Sequence, residues 1–202
     1  MISYASRTGT QRNLAAMRAA GWRIMVSARG VLRTEGFRYA LDNGAWTAHQ
    51  RGETCFDAEA FDRAVGLLGA EADFVVVPDR VMDAAATLRM AESWLPVLGR
   101  FSLVLAVQDG IVAEDVRPWL GPRCGVFIGG SDAWKESSAR RWGELCRERG
   151  AWLHMGRVNS ARRIAIAAEA GCDSIDGSSV SRFAKSIGRL DRAVRQQSLG
   201  GK

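Results

Sequence analysis

Eight alternations of an apolar, strand-like run with a helix-like run predict an α/β protein, a compact single-domain (β/α)8 TIM-like barrel. The run at 73–81 is nearly all apolar, as expected of a parallel strand buried on both faces. A length of 202 residues, of which 47% are hydrophobic and 25% charged, is typical of one globular domain. An open doubly wound sheet is the alternative if the first or second strand is misassigned.

The order of the elements follows from their periodicity and their stop signals. Short apolar runs predict strands at 2–6, 23–28, 37–46, 73–81, 101–110, 124–131, 151–155 and 172–176. Amphipathic runs predict helices at 8–21, 57–70, 83–99, 112–120, 132–150, 161–170 and 180–197, and residues 47–56 are expected to form a longer connection. The barrel is expected to span residues 1–196, followed by a frayed tail at 197–202.

Several classes of protein are disfavoured by composition. No apolar run approaches the roughly 18 residues of a membrane span, and the N-terminus lacks an apolar signal core. We therefore expect a cytoplasmic protein, in the host cytoplasm if it is phage-encoded, with no membrane partner. The four cysteines form no CxxC pair, which predicts reduced thiols and no metal site. No nucleotide-binding glycine motif follows any strand, so no cofactor is expected.

The net charge of +6 is concentrated in the last third of the chain. Residues 140–202 hold 13 Lys or Arg against 6 Asp or Glu, whereas residues 1–139 are nearly balanced. Such asymmetry beside a candidate site favours a polyanionic partner, although the 25 arginines could equally reflect codon bias. The candidate nucleic-acid contacts in this region are Arg157, Arg162, Arg163, Arg182 and Lys185.

Polar residues recur where the predicted strands end. In a barrel these ends surround one pocket, where chemistry is usually carried out. The set comprises Asp42, Asp79, Gln108, Gly129, Gly130, Met155, Gly156 and Asp176. Carboxylates with an amide suit a purine-like heterocycle, and two further carboxylates suit displacement at a sugar anomeric carbon. Asp176 could instead be a capping or turn residue, Asp42 a turn former, and His154 a wall residue of its strand.

The motifs ALDNGAW, VVPDRV, LAVQDG, FIGGS, LHMGRV and GCDSIDG, in this order, resemble those of the tRNA-guanine transglycosylase superfamily. The resemblance spans residues 38–183 and implies the same barrel. It implies that Asp176 is the nucleophile that attacks C1′ and that Asp42 handles the proton. It further implies recognition of the base by Asp79, Gln108, Gly129 and Gly130, in a slot lined by Ser131, Met155 and Gly156.

The compact, arginine-rich chain most resembles the phage and bacterial DNA members of that superfamily, because the zinc motif of the tRNA enzymes is absent. The resemblance therefore implies exchange of guanine in DNA for a free 7-deazaguanine base, with tRNA as the alternative substrate. Two other classes stay open. One is a small-molecule barrel lyase or isomerase in which Asp42 and Asp176 form an acid–base pair, and the other is a non-catalytic binding barrel.

Overall fold

The predicted (β/α)8 barrel is confirmed by the computed structural model, which describes the backbone of residues 1–200 and the side chains of residues 1–197. All eight strands are parallel and pair in sequence order, and the first pairs with the last to close the barrel. Residues 201 and 202, the end of the predicted tail, lie outside the described residues. No helix within residues 1–200 is both long and apolar enough to cross a membrane.

The strands agree with the sequence prediction in order and differ in length. They are β1 (Ile2–Ser6), β2 (Arg23–Ser27), β3 (Tyr39–Asp42), β4 (Val75–Val76), β5 (Leu103–Val107), β6 (Cys124–Ile128), β7 (Leu153–Met155) and β8 (Ser174–Gly177). The fourth is far shorter than the predicted run at 73–81. Pro78 lies just beyond it and has no N–H to donate to a neighbouring strand, so the ladder cannot continue there.

Helices lie in the connections, except for residues 28–38 between β2 and β3, and cover the outside of the barrel. They are α1 (Gln11–Ala19), α2 (Ala45–Gln50), α3 (Ala58–Leu68), α4 (Ala84–Leu98), α5 (Ala113–Val116), α6 (Asp132–Arg149), α7 (Ala161–Glu169), α8 (Ser179–Arg182) and α9 (Ile187–Gly200). Two expectations were wrong. The connection at 47–56 begins with helix α2, and the predicted closing helix at 180–197 is broken after Arg182, with a short 3-10 turn before α9.

The two faces of each strand define the site. Residues that point outward, such as Leu41, Met155 and Ile175, pack under the helices in the main apolar core. Tyr4 and Val76 point inward and belong to a smaller cluster inside the barrel. Because side chains alternate along a strand, the inward positions at the C-terminal ends open into the cavity described below.

The eight seams of the barrel differ in length. Strands β5 and β6 pair over five residues, from Leu103 with Cys124 to Val107 with Ile128. Strands β3 and β4 pair in register at Leu41 with Val75 alone, a shorter register than at the other seven seams. The seam between β3 and β4 separates the strands that lead into Asp42 and Asp79.

Candidate active site

A cavity of about 650 Å³ opens at the C-terminal end of the barrel. This is the end at which barrel enzymes carry their chemistry. Its walls include three carboxylates, Asp42, Asp79 and Asp176, which come from the ends of three different strands. Of the other predicted residues, Gln108, Gly129, Gly130, Gly156, Arg157 and Arg182 also line it.

Asp42 is the last residue of β3 and is followed by a tight turn into α2. Gly44 adopts a φ of 84° there and donates its N–H to Asp42 Oδ2 at 3.2 Å. Burial, together with the neighbouring carboxylates of Asp176 and Asp79, raises the pKa of Asp42 from 3.8 to about 7. Asp42 can therefore carry a proton at neutral pH, which an ordinary aspartate does not.

Asp79 is held by Asn43, a buried residue that the sequence analysis did not single out. Asn43 Nδ2 lies 2.8 Å from both Asp79 Oδ1 and the Val77 carbonyl, while its Oδ1 accepts the Ala45 N–H. Burial raises the pKa of Asp79 to about 6, and the hydrogen bond from Asn43 partly opposes the rise. The sequence places Asn43 at the end of the predicted strand 37–46, and nothing in that segment indicates that its side chain reaches Asp79 beyond the next strand.

One carboxylate oxygen of Asp176 lies within hydrogen-bond distance of two nitrogen atoms. Its Oδ1 lies 3.1 Å from His154 Nε2 and 3.2 Å from the Arg157 backbone nitrogen. His154 is fully buried inside the barrel and was read from the sequence as a wall residue. The structure places it in contact with a candidate catalytic group, which position on a strand alone could not reveal.

Gln108 faces the cavity, but its amide is already engaged. Its Nε2 donates to the Arg80 carbonyl and to Thr87 Oγ1, and its Oε1 accepts the Met82 N–H. Both donor hydrogens are thereby used, and the side chain is 2% exposed. In this structure the Gln108 amide therefore holds the loop between β4 and α4.

Two further predicted residues do not line the cavity. Met155 packs in the outer core because it alternates with His154 along β7, so the neighbouring residue occupies the inward position. Ser131 caps α6 and donates both its N–H and its hydroxyl to Asp109. Burial would raise the pKa of Asp109, but these two bonds, its own backbone N–H and the charge of Arg157 together lower it.

Gly156 and Arg157 form the loop after β7. Lys135, fully buried on α6, donates from Nζ to the Gly156 carbonyl at 3.0 Å and pairs with Asp132 at 3.1 Å. Burial and the charge of Arg157 lower the pKa of Lys135 against the opposing effect of Asp132. Arg157 has a φ of 57°, uncommon for a residue with a side chain, and its guanidinium lies 4.3 Å from the Trp46 ring centroid.

Replacing Gly156 by Ala is expected to lower the free energy of unfolding by about 1–3 kcal/mol, as overpacking does. An added Cβ would lie 2.7 Å from the Phe127 ring and 3.3 Å from Asp176 Oδ1. Chemical denaturation measures the effect. Gly66→Ala is the matched control, since it lies in α3 with open space around it and should stabilise the protein. Unchanged stability of Gly156→Ala would mean that the Phe127 ring moves aside freely.

The predicted nucleic-acid contacts are separated by the fold. Arg157 and Arg182 reach the cavity, whereas Arg162 and Arg163 lie on α7 and pair with acidic residues of α6. Arg163 bonds both Asp132 and Glu136, and Arg162 bonds Glu136. Lys185 is exposed between α8 and α9. Much of the local positive charge is thus neutralised by ion pairs, which the charge count could not show.

The described side chains contain no group of three or more His, Cys, Asp or Glu arranged to hold a metal ion. The cavity also contains Arg7, which the sequence analysis did not identify. Arg7 follows β1 and pairs with Glu35 at 2.5 Å. The carboxylates in the cavity wall can exchange protons with a bound molecule, and the arginines can attract its negative charge.

Fold and cavity together define a single-domain (β/α)8 barrel whose candidate chemistry depends on aspartates at the C-terminal strand ends. The chain matches no protein-family model and no curated protein. It is similar to a solved structure described as "Native KDPGal structure", with a TM-score of 0.58 and 12% sequence identity over 98% of this chain and 97% of that chain. At that identity the likeness shows the fold alone.

The predicted membership of the tRNA-guanine transglycosylase superfamily is wrong. No family model supports it, and the structural similarity over nearly the whole chain is to a KDPGal protein. The pentosyltransferase activity, the exchange of guanine in DNA and the phage affiliation inferred from that resemblance are corrected with it. Six short motifs in order were a misleading signal, because Asp and Gly at successive strand ends are common to barrels of many functions.

Proposed function

We propose that this protein is a small-molecule lyase or isomerase in which Asp176 and Asp42 act as a base and an acid. The observation that carries the proposal is the pairing of Asp42, whose pKa is raised to about 7, with the neighbouring carboxylate of Asp176 in the wall of the same cavity. A buried acid whose pKa has been raised to near neutrality is a usual component of acid–base catalysis.

The proposed chemistry begins with a carbon acid next to a carbonyl group. Asp176, as carboxylate, takes the proton from the carbon, and protonated Asp42 donates its proton to the carbonyl oxygen, which gives an enol. In an isomerase, Asp176 then gives its proton to the former carbonyl carbon, while Asp42 takes the proton from the hydroxyl on the carbon that lost its hydrogen. In a lyase, the enol O–H returns its proton to Asp42 as the carbonyl re-forms, the bond to the group on the next carbon breaks, and that group leaves with the proton held by Asp176. Both outcomes need only one base and one acid within reach of the same substrate.

A lysine-bound intermediate has no support in the cavity wall. The residues that line the cavity include no lysine among the described side chains. Lys135 is the buried lysine nearest the site, and its Nζ is directed at the Gly156 carbonyl and Asp132. We therefore assign the chemistry to the aspartates.

The substrate is proposed to be small and anionic. A cavity of about 650 Å³ lies within the usual range for small-molecule sites. Arg157 follows β7, and Arg182 is the last residue of the short helix after β8, in the part of the barrel where phosphate groups are often bound. Guanidinium groups suit phosphate and carboxylate, so phosphorylated sugars and 2-oxo sugar acids are the leading class.

The test is exchange of substrate C–H for deuterium in D2O, followed by proton NMR on a panel of such compounds that includes KDPGal. Loss of a signal next to a carbonyl, with or without product, would support the proposal. The protein should also be passed over immobilised duplex DNA at 150 mM salt. No exchange on any compound together with retention on DNA would overturn the proposal in favour of a binding barrel.

Arg182→Gln is expected to raise KM for a phosphorylated substrate by about 10- to 100-fold with little change in kcat, because a charge-assisted contact of about 1.5–3 kcal/mol is lost. Arg162→Gln is the matched control, since Arg162 pairs with Glu136 away from the cavity. Steady-state kinetics on a phosphorylated compound and its unphosphorylated form measure the difference. An equal effect on both forms would contradict phosphate recognition by Arg182.

A further inference from the structure

Three hydrogen bonds run in a chain behind Asp176, inside the barrel. Trp152 Nε1 lies 2.9 Å from Ser174 Oγ, and Ser174 Oγ lies 2.8 Å from His154 Nδ1. His154 Nε2 lies 3.1 Å from Asp176 Oδ1. Ser174 and His154 are both 0% exposed, so bulk water does not compete for these bonds.

The donor and the acceptor of each of these hydrogen bonds follow from the chemistry of the Trp152 side chain. An indole nitrogen can only donate, so Ser174 Oγ accepts from Trp152. Among the described residues, His154 Nδ1 is the other hydrogen-bond neighbour of Ser174 Oγ, so the Ser174 hydroxyl hydrogen has an acceptor when Nδ1 is the accepting nitrogen of the ring. A neutral imidazole carries one hydrogen, which therefore lies on Nε2 and is donated to Asp176.

Aromatic neighbours fix the plane of the His154 ring. Phe127 stacks on it with centroids 4.8 Å apart and an interplanar angle of 26°. Phe74 and Tyr4 lie 5.2 Å and 6.0 Å away at steeper angles. Turning the ring over would place carbon atoms opposite Ser174 and Asp176 and would lose both bonds, so the observed orientation is the one that satisfies both nitrogens.

We propose that His154 is the positioning residue of Asp176, and that Trp152 and Ser174 hold it in the tautomer with hydrogen on Nε2. The proposal rests on the acid–base function proposed above. Oδ1 of Asp176 accepts from His154 and from the Arg157 N–H, and among the described side chains and backbone Oδ2 has no hydrogen-bond donor. Oδ2 is thus the oxygen that takes the substrate proton: the C–H bond breaks, its electrons form the enol, and the new O–H bond forms on Asp176 while His154 keeps its own hydrogen.

The tautomer can be observed directly by 15N NMR of the full-length protein labelled at histidine. The chain has two histidines, so His49→Asn assigns both rings, and His49 is exposed. For His154 we expect one slowly exchanging N–H at Nε2 and the shift of an unprotonated nitrogen at Nδ1. A hydrogen on Nδ1 would overturn the proposal, because Asp176 would then have to donate to Nε2.

Asp176→Asn separates two effects on the tautomer of His154, that of the hydrogen bonds from Trp152 and Ser174 and that of the carboxylate charge of Asp176. If Trp152 and Ser174 set the tautomer, this variant should keep the Nε2 hydrogen, whereas Asp176→Asn with Ser174→Ala should show both tautomers in comparable amounts. Asp176→Asn with Trp152→Phe serves the same purpose if the alanine variant does not fold. A mixture in Asp176→Asn alone, or one tautomer in every folded double variant, would overturn the proposal.

This readout is independent of turnover. If the expected tautomers are found and no compound of the panel exchanges, the acid–base function fails while the hydrogen-bond chain stands. If exchange is found with the hydrogen of His154 on Nδ1, the function stands and the positioning role fails. Where the acid–base function and the positioning role of His154 both hold, Ser174→Ala alone should slow deuterium exchange by about 10-fold, as expected for loss of one orienting hydrogen bond.

Discussion

Replacing Asp176 by Asn is expected to lower the rate of substrate deuterium exchange by about 10²- to 10⁴-fold, the usual contribution of a general base. The amide cannot accept the substrate proton. Its oxygen can still accept the N–H groups of His154 and Arg157, so the fold around it should be kept. The measurement is the exchange rate by proton NMR on whichever compound the wild type turns over, with the melting temperature recorded alongside.

Asp62→Asn is the matched control for this comparison. Asp62 is exposed on α3, far from the cavity lining, and the same change of charge there should leave the exchange rate as in the wild type. An Asp176→Asn variant that keeps more than about a tenth of wild-type exchange would remove Asp176 from the role of base, since that loss is far below the range for such a group.

Asp42→Asn is expected to stabilise the protein at pH 8 and to have little effect on stability at pH 4. The pKa of Asp42 is about 7 in the folded state, whereas its ordinary value is 3.8. The contribution of Asp42 to the free energy of unfolding is therefore fully present below pH 3.8 and is lost as the pH rises through 7. At pH 8 the wild type must keep this carboxylate ionised beside Asp176 and Asp79. The variant avoids that cost.

The expected gain is on the order of 2 kcal/mol at pH 8, reduced from the full value of the shift because the half-buried group is partly screened by water. For a chain of this length that corresponds to roughly 4–8 °C in melting temperature. Thermal unfolding at the two pH values measures it, again with Asp62→Asn as control. A gain of the same size at pH 4 would show that burial of the charge is not its cause. The variant should also lose the acid function, so activity and stability oppose each other here.

The fold could be predicted from the sequence because its signals are local. Apolar runs such as 103–107 and the cap and stop residues of the helices determine where each element begins and ends. The count of eight then leaves a closed barrel as the natural arrangement. The errors fell where local signals compete, as at Pro78, which ended β4 early, and after Arg182, where a helix-like pattern is broken into three pieces.

The site could be predicted only in part. Asp42, Asp79 and Asp176 reach one cavity because strand ends meet there by construction. The sequence indicates less well which side chains point into the barrel, because neighbouring residues of a strand point to opposite faces. Met155 was expected to line the cavity, but its neighbour His154 occupies the inward position. The hydrogen bonds that occupy Gln108 come from residues 21 to 28 positions earlier, and no local pattern records them.

The short seam between β3 and β4 has a consequence for how the barrel fluctuates. Local opening of a protein takes place where the fewest interactions must be broken, and this seam pairs in register at Leu41 and Val75 alone. Asp42 is the last residue of β3, and Asp79 lies three residues beyond the end of β4. The backbone amides beside these carboxylates should therefore exchange with solvent sooner than those between β5 and β6, and the barrel would part first along one wall of its own cavity.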